Sequence, residues 1–308
     1  MANKLRSALK YYYRRFYQKW HYETFKILIN QGRSMAEKNA VKTARDLEEV
    51  EFQVFSQRGE DGILQYIISK IEIPEKIFIE FGVEDYTEAN TRLLLINNNW
   101  SGLVMDGDEN HIRFIKSDNI YWKYDLTAYH SFITKENINE LIRQYTPKRD
   151  IGLLSVDIDG NDYWIWEAID VIEPRIVVCE YNSAFGAAET VSVPYSPDFY
   201  RTKAHYSNLY FGASLSAFCH LAEKKGYDFI GTAGAGVNAF FVRKDLSAPF
   251  RKCDPLKDFR PSANRDSKDR QGRNSFIRHP ERLPLIKDLP LTDVRTGDTR
   301  LIKDLYAL

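Results

Sequence analysis

Short apolar segments alternate with amphipathic, helix-compatible segments through the middle of this 308-residue chain. The short segments end in polar residues or glycine, as buried strands do, and the longer ones place apolar residues at helical spacing. The predicted strands are 77–83, 102–106, 119–125, 151–158, 175–181, 227–232 and 238–243. The predicted helices are 61–71, 90–98, 109–117, 136–145, 162–170 and 214–225.

Gly234-Ala235-Gly236 separates the last two predicted strands and indicates an antiparallel hairpin. The βα units before it favour a parallel sheet with helices on both faces. The sequence therefore predicts an open α/β sheet of seven strands, built by residues 51–250.

Charge divides the chain into three parts. Residues 1–45 carry a net charge of +9, residues 46–250 carry −14, and residues 251–308 carry +5. A nucleic-acid-binding domain would carry its basic patch on the fold, so an acidic body argues against a nucleic-acid partner. We expect a basic helical extension over residues 1–50 and a basic, partly flexible tail over residues 251–308.

The N-terminal extension mixes basic and aromatic residues. Leu5, Leu9, Phe16 and Trp20 recur at helical spacing, between lysines and arginines. Such a helix packs on the acidic body or on a second subunit of a homo-oligomer. Alternatively, residues 1–30 lie on an anionic membrane face, which would make the protein peripheral at the inner membrane.

The cysteine content and the hydropathy of the chain indicate where in the cell the protein is expected. Three cysteines form no disulfide framework and no CxxC metal motif, which favours a reducing, cytoplasmic setting. No run of about 18 apolar residues exists, so we expect no membrane-spanning helix.

One βαβ segment carries the strongest functional signal. A strand runs into Glu80 and Gly82, a helix begins near Asn90, and the next strand ends in Asp106-Gly107-Asp108. Strand, glycine turn, helix, strand and acid is the order of a Rossmann-like unit that binds an adenosyl ligand. A single glycine supports a pyrophosphate poorly, so S-adenosylmethionine is favoured over a dinucleotide.

A second signal follows the strand near residue 156. Asp157, Asp159 and Asp162 gather at its carboxyl end, where open α/β sheets bind ligands. Asp157 and Asp159 would bind Mg²⁺ or Mn²⁺, or one of them would act as a general base on a hydroxyl. The alternative is an acidic turn that caps the following helix.

Four further residues are candidate site residues because of their positions in the predicted elements. Glu180 follows an apolar strand and predicts a catalytic or metal-binding role, with a buried ion pair as the alternative. Asp125, at the end of the third predicted strand, is placed near an adenine. His205, in the long loop 183–211, is a reserve base. Gln57 is placed near the amino-acid end of the cofactor.

Three segments resemble the FkbM-like methyltransferases, and a bacterial subgroup of them most closely. They are Ser56 to Gly62 (SQRGEDG), Glu80 to Val83 (EFGV) and Asp157 to Tyr163 (DIDGNDY), and the likeness covers roughly residues 55–245. The resemblance implies a Rossmann-like class I methyltransferase sheet of seven strands that binds S-adenosylmethionine.

The resemblance also implies individual roles. Glu80 and Gly82 would line the methionine moiety, Asp106 would take the ribose hydroxyls with Asp108 beside it, and Asp157 would face the methyl group. The chain departs from the usual Asp-x-Gly-Ala-Asn at residues 80–84 and from the usual Glu-Pro at residues 106–107. Both departures keep a carboxylate.

These observations favour an S-adenosylmethionine-dependent O-methyltransferase that acts on a sugar or polysaccharide hydroxyl. Asp157, Asp159 and Glu180 would activate the hydroxyl directly or through a metal ion. One alternative is a metal-dependent nucleotide-sugar glycosyltransferase that uses Asp157 and Asp159. Another is a non-catalytic assembly protein held at a membrane surface by its N-terminal helix.

Overall fold

The computed structural model describes residues 23–308, so most of the predicted basic helix of residues 1–30 lies outside the described residues. The described part opens with a helix, α1, over 23–40. Phe25 packs against Phe55 with ring centroids 5.7 Å apart, and the Asn39 amide donates a hydrogen bond to the Val50 carbonyl at 2.8 Å. This part of the helix therefore packs on the body of the protein.

Strands and helices alternate through the middle of the chain as the hydropathy pattern predicts, except at residues 119–125. The strands are β1 Ile77–Phe81, β2 Ser101–Asp106, β3 Leu126–His130, β4 Asp150–Val156, β5 Glu173–Glu180, β6 Val191–Ser192, β7 Tyr227–Thr232, β8 Asn238–Arg243, β9 Pro290–Asp293 and β10 Thr299–Leu301. The helices are α2 Glu60–Lys70, α3 Arg92–Asn98, α4 Glu109–Ser117, α5 Asn119–Lys123, α6 Ile138–Tyr145, α7 Asp162–Ala168, α8 Arg201–Ala204, α9 Leu215–Lys225, α10 His279–Leu285 and α11 Ile302–Tyr306. Two short 3₁₀ helices cover Leu47–Val50 and Ser183–Phe185.

Seven strands form one sheet in the order β3-β2-β1-β4-β5-β8-β7. Strands β1 to β5 pair in parallel, and β8 is antiparallel to both of its neighbours. The predicted hairpin of β7 and β8 is confirmed. The order reverses between β1 and β4, which creates a ligand-binding crevice at the carboxyl ends of the strands. This Rossmann-like order is that of a class I methyltransferase sheet and confirms the predicted fold class.

The central strands are buried on both faces, as parallel strands under two helical layers must be. Along β1, Ile79 and Phe81 pack into the core on one face, and Phe78 packs into the core on the other. Leu154 and Leu153 of β4 repeat this alternation. Burial on both faces fixes the register, and with it the positions of the residues that follow each strand.

The prediction of a strand over 119–125 is wrong. These residues form α5, because the Asp118 side chain accepts a hydrogen bond from the Ile120 backbone N–H at 3.1 Å and caps a helical turn. Strand β3 begins only at Leu126. Asp125 therefore precedes the strand that it was expected to end.

Residues 251–308 pack against the long loop 183–211. Strands β9 and β10 join β6 in a small antiparallel sheet. Ile286, Leu291 and Ile302 share a separate apolar cluster with Val191 and Tyr210. The stretch 261–275 has little regular structure, but backbone hydrogen bonds link it to residues 235 and 207. No helix among residues 23–308 is both long enough and apolar enough to cross a lipid bilayer.

Candidate active site

A cavity of about 520 Å³ opens at the carboxyl ends of β1, β2, β4 and β5. Its volume lies in the range of small-molecule sites. It lies at the reversal of strand order, where the fold predicts a ligand. The predicted site residues that line it are Gln57, Glu80, Gly82, Asn90, Asp106, Gly107, Asp108, Asp157, Asp159 and Glu180.

Gly82 forms the tight turn that follows β1. Its φ of +68° is in the left-handed region, and a Cβ atom there would lie 1.6 Å from the carbonyl oxygen of Asp157. Its N–H donates a hydrogen bond to the Met105 carbonyl at 2.9 Å. Only glycine fits this position, because any side chain would collide with the backbone that follows β4.

Glu80 is a buried carboxylate that protein donors satisfy. Oε1 accepts hydrogen bonds from the Asn90 N–H at 3.0 Å and the Ser155 hydroxyl at 3.2 Å. Oε2 accepts from the Thr91 N–H at 3.2 Å and its hydroxyl at 2.5 Å. These four bonds fill the acceptor capacity of a carboxylate. Glu80 therefore fixes the start of α3 against β1 and β4 and shapes the cavity wall.

Asp106 ends β2 with its carboxylate toward the turn after β1. Oδ2 accepts a hydrogen bond from the Glu84 N–H at 2.9 Å, and Oδ1 accepts one from the Asp108 N–H at 2.8 Å. Nδ1 of His111 lies 3.0 Å from Oδ1. Partial burial lowers the pKa of His111, but the hydrogen bond and charge of Asp106 outweigh it and raise that pKa. Three contacts leave Asp106 one acceptor position for a ligand hydroxyl.

Asp108 and Gly107 complete this rim. The Asp108 side chain accepts a hydrogen bond from the Asn110 N–H at 2.7 Å and caps α4. This bond holds the pKa of the exposed Asp108 carboxyl below its usual value. The Gly107 carbonyl lies 3.1 Å from Nε2 of His130. Asp108 thus positions the helix beside the cavity, while Asp106 faces inward.

Asp157, Asp159 and Glu180 form a carboxylate cluster, with one oxygen of each within 4.8 Å of the others. Burial, followed by the charge of Asp159, raises the pKa of Asp157 well above its ordinary value. Burial and the charge of Asp157 raise the pKa of Glu180 in the same way. Both shifts mean that the cluster holds a proton more firmly than isolated carboxylates do.

One oxygen of Glu180 has no hydrogen-bond partner. Oε2 is buried, and no donor among residues 23–308 reaches it. An orphaned buried carboxylate oxygen is costly unless a proton, a cation or a ligand hydroxyl satisfies it. The three carboxylates therefore provide the donor set of a divalent cation or the acceptor of a substrate proton.

Arg201 crosses the cluster from the long loop. Its guanidinium is paired with Asp159 at one end and with Asp266 at the other, where Nη2 lies 2.8 Å from the carboxylate. It also stacks over the Phe211 ring at 3.8 Å from the centroid. Arg201 neutralises Asp159, so a metal ion at the cluster must compete with it for that carboxylate.

Asp162 serves the loop that precedes α7. Its carboxylate accepts hydrogen bonds from the N–H groups of Ile158 at 2.7 Å and Gly160 at 2.8 Å. Burial raises its pKa to about 6. Asp162 therefore fixes the turn before α7, whose N-cap, Asn161, makes no side-chain capping bond, while Asp157 and Asp159 line the cavity.

Two predicted site residues lie elsewhere. Asp125 sits at the amino end of β3, the edge of the sheet opposite the cavity, because α5 displaced the start of that strand. His205 follows α8 with Nδ1 2.7 Å from the Ser207 hydroxyl, and its ring does not line the cavity. Partial burial and the charge of Arg270 lower the pKa of His205. Neither residue is placed to touch a ligand of this cavity.

Several cavity residues escaped prediction. Phe132, which follows the true end of β3, lies nearly parallel to Tyr200, with ring centroids 6.4 Å apart and an angle of 12°. The loop also contributes Arg201, and the C-terminal segment contributes Asn264, Asp266 and Arg282. The length of the loop was the one available signal, and no local pattern marks the C-terminal residues.

No protein-family model matches the sequence, and no curated protein matches it. Similar solved structures include the N-terminal domain of EvdMO1 with SAH bound, an O-methyltransferase from Bacillus cereus in complex with SAH, and precorrin-6y C5,15-methyltransferase from Geobacter metallireducens GS-15. Their identities are 8%, 11% and 10%, and their TM-scores are 0.34, 0.34 and 0.35. The alignments cover 54%, 54% and 62% of this chain and 72%, 72% and 90% of theirs. What assigns the fold is the strand order of the sheet itself, with β8 antiparallel between β5 and β7, as in class I methyltransferases.

Proposed function

We propose that the protein is an S-adenosylmethionine-dependent O-methyltransferase that acts on a hydroxyl of a sugar or polysaccharide. One observation carries the proposal: a single cavity joins the Gly82 turn and Asp106 to the carboxylates of Asp157, Asp159 and Glu180. The first pair suits an adenosyl donor, and the cluster suits a hydroxyl acceptor. The resemblance to FkbM-like methyltransferases supports a sugar as the acceptor class.

The residues present fit the cofactor. Asp106 keeps one acceptor position for a ribose hydroxyl, and the glycine turn permits close approach to the backbone. Phe132 offers an aromatic face beside this rim for a purine. Glu80 keeps the start of α3 in place, and Gln57 and Asn90 contribute polar groups to the wall. When bound, the cofactor supplies an electrophilic methyl group on a sulfonium.

The chain's own task is to remove the proton of a weakly nucleophilic alcohol. Asp157 or Glu180, when ionised, accepts this proton, because burial disfavours the charged form of each and makes it a stronger base than an exposed carboxylate. A proton on the other of these two residues lowers the repulsion between them. In the metal-assisted form of the proposal, Asp157, Asp159 and Glu180 would hold Mg²⁺ or Mn²⁺, and the ion would supply Lewis-acid activation of the alcohol.

Replacing Asp157 by Ala tests the assignment. Turnover should fall by at least about a hundredfold, because general-base catalysis contributes that much or more. The matched control is Asp170→Ala, an exposed aspartate outside the cavity, which should keep full activity. Methyl transfer at the wild-type rate by a folded Asp157→Ala protein contradicts the assignment.

Calorimetry separates the competing functions. S-adenosylhomocysteine should bind the purified protein, and UDP-glucose with Mn²⁺ should not. Binding of the UDP-sugar and Mn²⁺ alone would favour the glycosyltransferase, for which Asp157 and Asp159 provide the metal ligands. A protein that binds neither ligand would be the non-catalytic assembly protein.

Partners and location stay predictions. The proposed acceptor is a sugar or glycan, and no nucleic-acid partner is expected of the acidic body. A cytoplasmic location and peripheral membrane contact through residues 1–30 rest on composition and helical spacing alone. Flotation with anionic vesicles, comparing the full chain with one lacking residues 1–22, tests the membrane contact.

A further inference from the structure

Arg282 is a cavity residue that is almost entirely buried. It belongs to α10, in the C-terminal segment, and its residue exposure is only 5%. It lines the same cavity as the carboxylate cluster. Its Nε donates a hydrogen bond to the Ile277 carbonyl at 3.2 Å, and its Nη2 donates to the Asn264 carbonyl.

These two partners carry no net charge. Among residues 23–308, no carboxylate lies within ion-pair distance of Arg282, and no acceptor engages its Nη1 atom. The nearby Asp266 is paired with Arg201 at 2.8 Å instead. Arg282 is thus a buried cation whose charge the described protein leaves without a direct counterion.

Arg201 and Arg282 differ in this respect although they line one cavity. Arg201 forms ion pairs with Asp159 and Asp266, so its charge is neutralised without an anionic ligand. Burial lowers the pKa of Arg282, and the charge of Arg201 lowers it further, against the opposing effect of Asp266. Arginine stays protonated in proteins, so Arg282 keeps its charge. A buried charge is normally paired, so an anionic ligand in the cavity would supply the counterion that Arg282 lacks.

We infer that Arg282 binds an anionic group of the acceptor, so that the substrate is a sugar bearing a phosphate or a carboxylate rather than a neutral sugar. The planar guanidinium group matches the geometry of both oxyanions, and its Nη1 atom, which has no protein acceptor, can donate hydrogen bonds to one. The carboxylate cluster repels an anion, which confines the charged group to the Arg282 end of the cavity. The neutral hydroxyl then lies toward Asp157 and Glu180. This inference rests on the proposed function for the sugar part of the ligand.

Calorimetry without any methyl donor tests the inference. Glucose 1-phosphate and glucuronate are the anionic probes, and glucose is the neutral one. Wild-type protein should bind at least one anionic probe roughly ten- to a hundredfold more tightly than glucose. This factor corresponds to the free energy that one charge-assisted hydrogen bond contributes to binding. The better of the two probes identifies phosphate or carboxylate as the group.

The variant Arg282→Gln should lose this preference, and Arg278→Gln should keep it. Arg278 precedes the same helix, is exposed and does not line the cavity. Equal affinity of the wild type for anionic and neutral probes would overturn the inference, as would a folded Arg282→Gln protein that retains the preference. If Arg282→Gln fails to fold, Arg282→Lys and competition by inorganic phosphate on the wild type decide in its place.

The outcomes separate the two proposals. If S-adenosylhomocysteine binds but the anionic preference is missing, only the anion site fails. If the anionic probes bind through Arg282 but S-adenosylhomocysteine does not, the methyltransferase proposal fails and the anion site stands. A loss of stability alone in Arg282→Gln, with the preference intact, would assign Arg282 to holding Asn264 and Ile277 in place.

Discussion

Removing one acid from the cluster should stabilise the protein while it abolishes activity. The change is Glu180→Gln. Two unit charges 4.8 Å apart repel by roughly 3.5 kcal/mol at an effective dielectric constant of about 20. Proton uptake relieves part of this repulsion, so we expect the free energy of unfolding to rise by about 1 to 3 kcal/mol at pH 8.

The effect has a defined pH dependence. The pKa of Glu180 is raised in the folded protein above its ordinary value of 4.5, so the folded state holds this proton more firmly than the unfolded state. The stability from this group is complete below pH 4.5 and is lost as the pH rises through the folded pKa. The variant should therefore gain stability over the wild type at pH 8 and little at pH 5.

Urea denaturation in EDTA at both pH values measures the difference. The control is Glu173→Gln on the same strand, where an exposed carboxylate pairs with Arg149 at 2.7 Å. That change should stay within about 1 kcal/mol at either pH. If Glu180→Gln loses as much stability at pH 8 as at pH 5, the reasoning from charge repulsion is wrong.

Adding a divalent cation extends the same experiment. A metal ion held by Asp157, Asp159 and Glu180 would offset their repulsion and stabilise the wild type. The Glu180→Gln protein, with one ligand fewer, should respond much less to Mg²⁺ or Mn²⁺. An equal response of the two proteins would place any bound metal outside this cluster.

Three other changes distinguish the roles around the cavity. Gly82→Ala should lower the free energy of unfolding by about 2 to 5 kcal/mol, because it combines a left-handed φ with a backbone collision. Gly107→Ala, whose Cβ would meet Phe132 at 3.6 Å, should cost less than about 1 kcal/mol, and equal losses in urea denaturation would contradict this. Asp106→Ala should weaken S-adenosylhomocysteine binding at least tenfold in calorimetry, and unchanged affinity would remove Asp106 from the cofactor site. His205→Ala should keep turnover within about twofold of the wild-type rate, since the His205 ring lies outside the cavity. A hundredfold loss of turnover would support His205 as the catalytic base after all.

The donor side of the cavity was predictable from the sequence because local patterns determine it. Parallel strands buried on both faces are continuous apolar runs, and their carboxyl ends fall at one edge of the sheet. Glu80, Gly82 and Asp106 follow such runs directly. Predicting the strands therefore also predicted the positions of these residues at the edge of the sheet. The four hydrogen bonds to Glu80 were not predictable, since one comes from Ser155, which the sheet brings beside β1, and three come from the turn before α3.

The failures have two physical causes. Short apolar runs do not distinguish a strand from a short helix, and the Asp118 cap decided the matter at residues 119–123. Arg201 and Arg282 reach the cavity through long-range packing of the loop 183–211 and the C-terminal segment. No hydrophobic period or motif near either residue predicts which distant part of the chain it will contact.

Two parts of the cavity lining are encoded far apart. Residues 57–133 supply the lining around Gly82 and Asp106, whereas another part of the lining, Arg282, comes from the C-terminal segment. At ordinary rates of translation, roughly 8 to 30 seconds separate the synthesis of these two parts. Because Gly82 packs against the backbone of Asp157 and Glu80 bonds to Ser155, neither part of the cavity forms from its own residues alone, and the site is complete only once Arg282 has been synthesised.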